Sequence, residues 1–544
     1  MMRYRSLLSA AMLLLAAASA AHAADTTPKA DKAAIRAHLA FLADDLLEGR
    51  DTGSRGYDIA ANYVAAQFAQ YGLAPKGSKG SYLQSVPLRA SRAVPGSSVV
   101  ELRSAAGVER LSADTDFVIG ADVLEPRAAA VAPLVFVGYG IRADRFGHND
   151  YAGIDVKGKI VVVLQGKPTR FPTEEGAHFG SGREKRKLAA QLGAVGMVTL
   201  WTPDTEKAMP FAKVLERNVF PSMSWVDAAG KPAHSLPALQ DDVALSLAAS
   251  KKLFTQVDAR LDDIYALAAA NKPVPQMDLK MSMRLSHKRV LSEVRSSNVV
   301  GMIEGSDPRL KHEYVVFSAH LDHIGQVKEK TGDNIYNGAM DNASGVATLI
   351  ETARLFSQSA TRPKRSVLFV ALTGEEKGLL GSDYFATNPT VPAGAMVANV
   401  NLDMPLLTFD FKNVVAFGAE HSSMKGSVQR AAAKMGVGLI ADPWPAQGLF
   451  TRSDHYMFVR QGVPSIFLVP GQNSFNKNED GAKLWGEFLA THYHQPSDDL
   501  SLPFNFDAAA RFAQLNYNIA LEIANASAKP TWNQGDFFGD MFKK

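Results

Sequence analysis

From residue 314 onward, short continuous apolar runs alternate with longer stretches whose apolar positions recur every three to four residues. EYVVFSAH, RSVLFVAL, MVANVNLDM and GVPSIFLVPG predict strands, with a further edge strand at NVVAFG. SGVATLIETARLF, LLGSDYFAT, Lys425 to Met435 and Phe506 to Asn525 predict helices. Near-continuous apolar strands between amphipathic helices indicate an α/β fold. Its sheet is mixed, mostly parallel, and covered by helices on both faces. Upstream, Lys32 to Leu47 and Tyr57 to Tyr71 have helical spacing, and the polar loop LEGRDTGSRG lies between them.

Near Val99 the pattern changes. Short β-type runs such as APLVFVGYGI and KGKIVVVLQG continue to about Leu247, with a helical stretch at Arg186 to Leu192 and an apolar run at Gly196 to Trp201. That mixture predicts a separate β-rich α+β module inserted into the larger domain. Leu253 to Ala270 reads as a helix, and VPQMDLKMSMRL as a strand re-entering the main body. The expected division is a leader at 1–23, a first body segment at 24–98, the insert at 99–270, the main body at 271–530 and a tail at 531–544.

Composition narrows the possibilities further. The 544 residues are 46% hydrophobic and 21% charged, as expected of globular domains, and the length suits two of them. Arg3 and Arg5, an apolar stretch from Leu7 to Ala18, and Ala21-His22-Ala23 predict a cleaved secretory signal. The expected product is exported, periplasmic or secreted, without stable membrane insertion after cleavage. The net charge of +3 falls to 3 − 2 = +1 without the two leader arginines, which argues against nucleic-acid partners. Cysteine is absent, so the fold depends on its cores rather than on disulfides.

Candidate chemistry lies in five short stretches: SAHLDHIG (His320, Asp322), GAMDNASG (Asp341), LTGEEKG (Glu375, Glu376), VNLDMP (Asp403) and HYHQPSDD (His494). Imidazoles and carboxylates together form an N/O ligand set suited to zinc, with cobalt or manganese as substitutes. Most of these residues follow a predicted strand directly. Open α/β sheets collect ligand sites at the carboxyl ends of their strands. A Glu-Glu pair in a glycine-bounded turn is by itself an ordinary solvated turn. Behind a buried strand, beside the other ligands, it gains chemical meaning.

These strings resemble the co-catalytic di-zinc aminopeptidase family, whose relatives include glutamate carboxypeptidases and glutaminyl cyclases. AHLDHIG, YNGAMDNASG, LTGEEKGLLGS, NLDM, HQPSDD and TRSDHYMF carry the likeness. FVGYGI, NDYAGIDVKGKIVVVLQG and KLAAQLGAVGMV resemble a protease-associated domain. The resemblance implies that Asp341 bridges two zinc ions. His320 and Asp403 would complete one site, and Glu376 and His494 the other. Glu375 would be the general base, and the Asp341–Asn342 bond would be cis. Asp322 is expected to accept the second ring N–H of His320. His323 and His492 are not expected as ligands. Ser453, Asp454 and His455 are read either as support for the site or as a helix cap. Tyr336 and Tyr493 are open as oxyanion donors or as wall residues.

The implied activity is a two-metal exopeptidase acting on peptides, most simply an aminopeptidase. A carboxypeptidase would need a cation such as Arg452 to hold a terminal carboxylate. A glutaminyl cyclase, a mononuclear hydrolase and a silent receptor on the same scaffold are the other readings.

Overall fold

The computed structural model describes residues 27–543 apart from 121–122, 219, 240 and 328–329. The expected leader at 1–23 lies outside the described residues. Helix α1 (Lys32–Leu42) is followed by a tight turn at Asp45–Arg50, shorter than the helix expected to reach Leu47, because Asp44 starts a new cap by accepting the Leu46 N–H. Helix α2 (Arg55–Gln70) begins at Ser54, whose hydroxyl accepts the Tyr57 N–H at 3.1 Å, and strand β1 (Leu83–Ala93) follows.

The insert contributes β2 (Val99–Ser104), β3 (Arg127–Phe136), β4 (Ile160–Leu164), α3 (Gly182–Gln191), β5 (Gly196–Leu200), α4 (Phe211–Arg217), β6 (Ser222–Trp225), β7 (Asp241–Leu245) and α5 (Leu261–Ala269). The helix expected over Leu253 to Ala270 forms only in its second half. Leu247–Lys252 is capped by Ser246, and α5 starts after Arg260. The intervening TQVDAR supplies too few apolar positions to keep a helix against the core.

The remaining elements are β8 (Met277–Ile303), β9 (Tyr314–His320), α6 (Ser344–Gln358), β10 (Ser366–Leu372), α7 (Leu380–Thr387), β11 (Met396–Leu402), β12 (Asn413–Phe417), α8 (Met424–Lys434), β13 (Gly438–Ile440), β14 (Ser465–Pro470), α9 (Gly481–Thr491), α10 (Phe506–Asn525) and α11 (Phe537–Phe542). The body sheet runs β6–β1–β8–β10–β9–β11–β14–β12–β13, and β10, β9, β11 and β14 are parallel. NVVAFG, expected at the edge, is one strand in, because the three-residue β13 pairs outside it. A strand that short leaves no periodic signal.

Every residue of β9, β10 and β11 is buried, as a sheet covered on both faces requires. Strand alternation divides them between two layers. Phe317 and Phe369 stack at 5.5 Å in the core shared with α2, α6 and α10. Val316, Leu368 and Val370 pack on the opposite side with Phe385 and Phe458. Each fully buried large apolar side chain contributes about 1.5–3 kcal/mol.

The 27-residue β8 joins the domains. Residues 277–288 pair with β2 and β3 in the insert sheet, and residues 289–303 pair with β1 and β10 in the body. The strand expected to re-enter the body thus first completes the insert, whose sheet extends past residue 270. Conversely, β6 leaves the insert to form an edge strand on the body. These two exchanges fix the insert against the carboxyl edge of the parallel strands.

Candidate metal centre

His320 closes β9, Glu375 and Glu376 lie in the turn after β10, and Asp403 follows β11. Parallel register brings these three strand ends to one edge of the sheet. Asp341 lies in a wide turn that leads into α6. The peptide bond between Asp341 and Asn342 is cis. Asn342 fixes that turn, donating to the Leu402 carbonyl at 2.9 Å and accepting from Gly345 and Met404 N–H groups. His494 reaches the same place from the loop after α9, with φ at 56°. A left-handed non-glycine residue persists where its surroundings determine it strongly.

The side chains meet in two groups. In one, donor atoms of His320, Glu375 and Asp403 all lie within 4.8 Å of one another, and in the other those of His323, Asp341 and Glu376 do. His320 Nε2 is 3.1 Å from Asp403 Oδ1 and 3.2 Å from Asp341 Oδ1. His494 Nε2 is 3.0 Å from Asp341 Oδ2 and 3.1 Å from Glu376 Oε1. Asp341 therefore directs one oxygen to each half of the cluster.

His323, not expected as a ligand, is fully buried with Nδ1 2.9 Å from Glu376 Oε1. Its backbone N–H donates to the Arg50 carbonyl, which turns its ring inward beyond the strand, where alternation no longer predicts direction. His492 is half-buried, with its ring at Ser497 and away from the cluster.

Whether cations fit can be judged from the atoms themselves. His323 Nδ1 and Glu376 Oε1 are close, but neither has an aligned hydrogen-bond partner among the described residues. Their lone pairs point to shared space rather than at each other. Asp341, Glu375, Glu376 and Asp403 together bring up to four negative charges into a buried site, which two divalent cations would balance. Burial and the neighbouring carboxylates of Asp403 and Glu376 push Glu375 well above the usual carboxylate range. Burial opposes protonation of His494, yet Glu376 and Asp341 raise it to about 9. Charge is concentrated here beyond what the side chains alone can neutralise, and the donor set fits divalent metal.

Surrounding residues orient these groups. The ring N–H expected to meet the Asp322 carboxylate faces its main-chain carbonyl instead, with His320 Nδ1 at 3.1 Å. The carboxylate turns away to accept the N–H groups of Glu375 and Glu376 at 3.1 and 3.3 Å, and the Thr52 hydroxyl at 3.1 Å. Strand β9 ends at His320, so alternation does not hold Asp322 on the face of the ring, and its carbonyl is the group that meets it. Ser453 donates to Asp403 Oδ2 at 2.5 Å and receives Asn401 Nδ2, while Asp454 starts its short helix without a side-chain cap. Tyr493 stacks on the His494 ring at 3.9 Å and accepts from Arg452 at 3.2 Å. Tyr336 stands farther out, edge-on to Phe220 of the insert.

Two supporting residues lie in stretches singled out from the sequence, HQPSDD and LEGRDTGSRG, but had no role assigned there. Asp498 accepts the N–H groups of Met340 and Asp341 at 2.7 and 3.0 Å. Arg50, from the glycine-punctuated loop, is fully buried and donates to carbonyls of Leu321, Asn337, Gly338 and Leu42. Its guanidinium thus ties together the segments leading to Asp322 and Asp341.

The clustered imidazoles and carboxylates lie at the carboxyl edge of a parallel α/β sheet, where such sheets collect ligands. Residues 298–520 match the model of peptidase family M28, and residues 130–239 match the PA domain. These two matches cover the metal-ligand motifs from His320 to His494 and most of the inserted module ahead of them.

It is 35% identical over 120 residues to a probable zinc metalloprotease of Pyrenophora teres f. teres, covering 22% of this chain and 24% of the relative. A probable zinc metalloprotease of Leptosphaeria maculans is 36% identical over 273 residues, covering 44% and 60%. The chain thus spans from a quarter to three fifths of the length of these two curated relatives. The solved aminopeptidase from Aneurinibacillus sp. strain AM-1 superposes with TM-score 0.53 at 17% identity, covering 92% of this chain and 96% of that one. That likeness establishes a shared fold.

Proposed function

We propose that this chain is an exported aminopeptidase that uses two zinc ions to release amino-terminal residues from peptides. The observation that carries this reading is the division of Asp341, whose two oxygens face His320 and His494 at 3.2 and 3.0 Å. His320 and Asp403 would hold one ion, and Glu376 and His494 the other, with cobalt or manganese as substitutes. His323 stands beside the second set. Zinc bound there supplies Lewis acidity toward a peptide carbonyl and toward water.

Glu375 is the proton carrier in this scheme. It lies within 4.8 Å of His320 and Asp403 donor atoms, and its burial favours a carboxyl able to hold a proton. It takes a proton from water and returns it to the leaving amine. Asp322 fixes the turn that presents Glu375, and Ser453 fixes Asp403.

Arg452 supports a second reading. Its guanidinium sits by Tyr493, close enough to Glu375 and Asp403 to feel their charge, where it could clamp a terminal carboxylate as carboxypeptidases require. Metal analysis of the purified protein, with hydrolysis of peptide libraries blocked at either end, separates the two. Two equivalents of zinc and release from free amino termini are expected. One equivalent would refute the paired site, and release from carboxyl termini would favour the Arg452 reading.

A further inference from the structure

Between the insert and the body lies a cavity of about 650 Å³ whose lining includes Glu376 and His494. That volume is within the range of small-ligand sites. The insert wall is strongly basic. Arg183 and Lys187 stand one turn apart on α3, and Arg217 ends α4. Several other charges around the cavity are already matched. Arg186 pairs with Asp242 at 2.8 Å, Arg460 with Glu184 at 2.5 Å, Lys377 with Asp51 at 2.8 Å, and His234 with Asp383 at 2.6 Å. Arg183 contacts Met457 Sδ at 3.5 Å and feels Asp383 at longer range. Among the described residues, Arg183, Lys187 and Arg217 form no ion pair.

We propose that Arg183, Lys187 and Arg217 form a carboxylate-binding subsite beyond the scissile bond, making short peptides with an anionic C-terminal side the preferred substrates. This rests on the aminopeptidase reading. An ammonium terminus is repelled by three cations and attracted toward Glu375 and Asp403, in the opposite half of the cluster. The amino end therefore lies at Glu375 and Asp403, and the chain runs past Glu376 and His494 into the basic cavity. Guanidinium groups recognise carboxylates through paired N–H donors, and the cavity of about 650 Å³ has room for a short peptide. The PA domain thereby becomes part of the specificity pocket.

The test uses zinc-loaded protein with the Glu375→Gln substitution, which arrests turnover, and measures peptide binding by calorimetry. The probes are tri-alanine, tri-alanine amide, and an Ala-Glu-Ala amide. Wild-type cavity residues are expected to favour tri-alanine over its amide by about tenfold. The double variant Lys187→Gln/Arg217→Gln should bring that ratio near one, and Arg217→Lys should keep most of it. Lys213→Gln, an exposed α4 residue outside the lining, should keep all of it.

Tight binding of the Ala-Glu-Ala amide would show that side-chain carboxylates are accepted as well as the terminus. Equal binding of all three probes, or a preference that survives the double variant, overturns the subsite. Hydrolysis by the unsubstituted enzyme is scored separately. Failure to release amino-terminal residues while the binding preference persists would sink the aminopeptidase reading and leave the carboxylate site standing.

Discussion

Replacing Arg50 with Met keeps most of its bulk and removes its charge and donors. Four carbonyls, of Leu42, Leu321, Asn337 and Gly338, then lose their partner in a buried place. Hydrogen bonds from a charged donor contribute about 1.5 kcal/mol or more each, so the loss is roughly 6 kcal/mol. Burying the charge has a cost that the substitution relieves. Burial lowers the Arg50 pKa from 12.5 to about 10, against the pull of nearby Asp498 and Asp322. At about 1.36 kcal/mol per unit, that is roughly 3 kcal/mol. The net expectation is a destabilisation of about 3 kcal/mol, seen as a thermal midpoint several degrees lower. Zinc occupancy should fall as well, because the released carbonyls belong to the segments that carry Asp322 and Asp341. A buried ion that is mere filler behaves differently, since an apolar substitute is then neutral or stabilising. A variant within 1 kcal/mol of wild type by thermal unfolding, with full zinc content by mass spectrometry, would refute the tie assigned to Arg50.

Four shorter expectations follow from the same geometry. Glu375→Gln should keep its zinc and lose about 10²- to 10⁴-fold in kcat, so near-normal turnover removes it as the proton carrier. Asp341→Ala should lose zinc from both halves of the cluster, and intact stoichiometry contradicts the bridge. Ser453→Ala deletes the hydroxyl donor to Asp403 and should weaken zinc affinity about 10- to 100-fold, measured by chelator competition. His421 joins the body to Glu174 of the insert and Asp536 of the tail, both at 2.5 Å, and against the opposing effect of burial these carboxylates raise it from 6.5 to about 10. A raised folded pKa gives stability that is complete below about 6.5 and lost as pH climbs through about 10. The thermal midpoint should fall more steeply over that window in wild type than in His421→Asn, and parallel slopes would rule the triad out as the cause.

The sequence made some of these residues visible because of where they fall in the chain. His320, Glu375, Glu376 and Asp403 each end or follow a near-continuous apolar strand, so the strand pattern directs them to one sheet edge. Asp341 and His494 lie on loops and were found only through motif likeness. His323 was passed over because the chain leaves the strand at Leu321, and alternation says nothing about a bend held by the Arg50 carbonyl. Arg50 itself is a basic residue in a polar loop, which composition assigns to the surface. Its burial arises from four carbonyls scattered over almost 300 positions, and local sequence cannot express that convergence. The late start of α5 and the outer strand β13 were missed for a simpler reason, since segments of this size hold too few residues for a period to appear.

The domain exchange along β8 belongs to the same class of hidden feature, and it bears directly on function. A β-rich pattern predicts an independent insert, yet one strand serves both sheets and β6 returns to pair with β1. A module tethered only at its two ends could drift away from the metal centre. One hydrogen-bonded at both sites keeps Arg183, Lys187 and Arg217 on a wall fixed relative to His494. The basic cavity is therefore as rigid as the sheets that frame it, and ligand discrimination there depends on a position set by backbone pairing rather than by a mobile hinge.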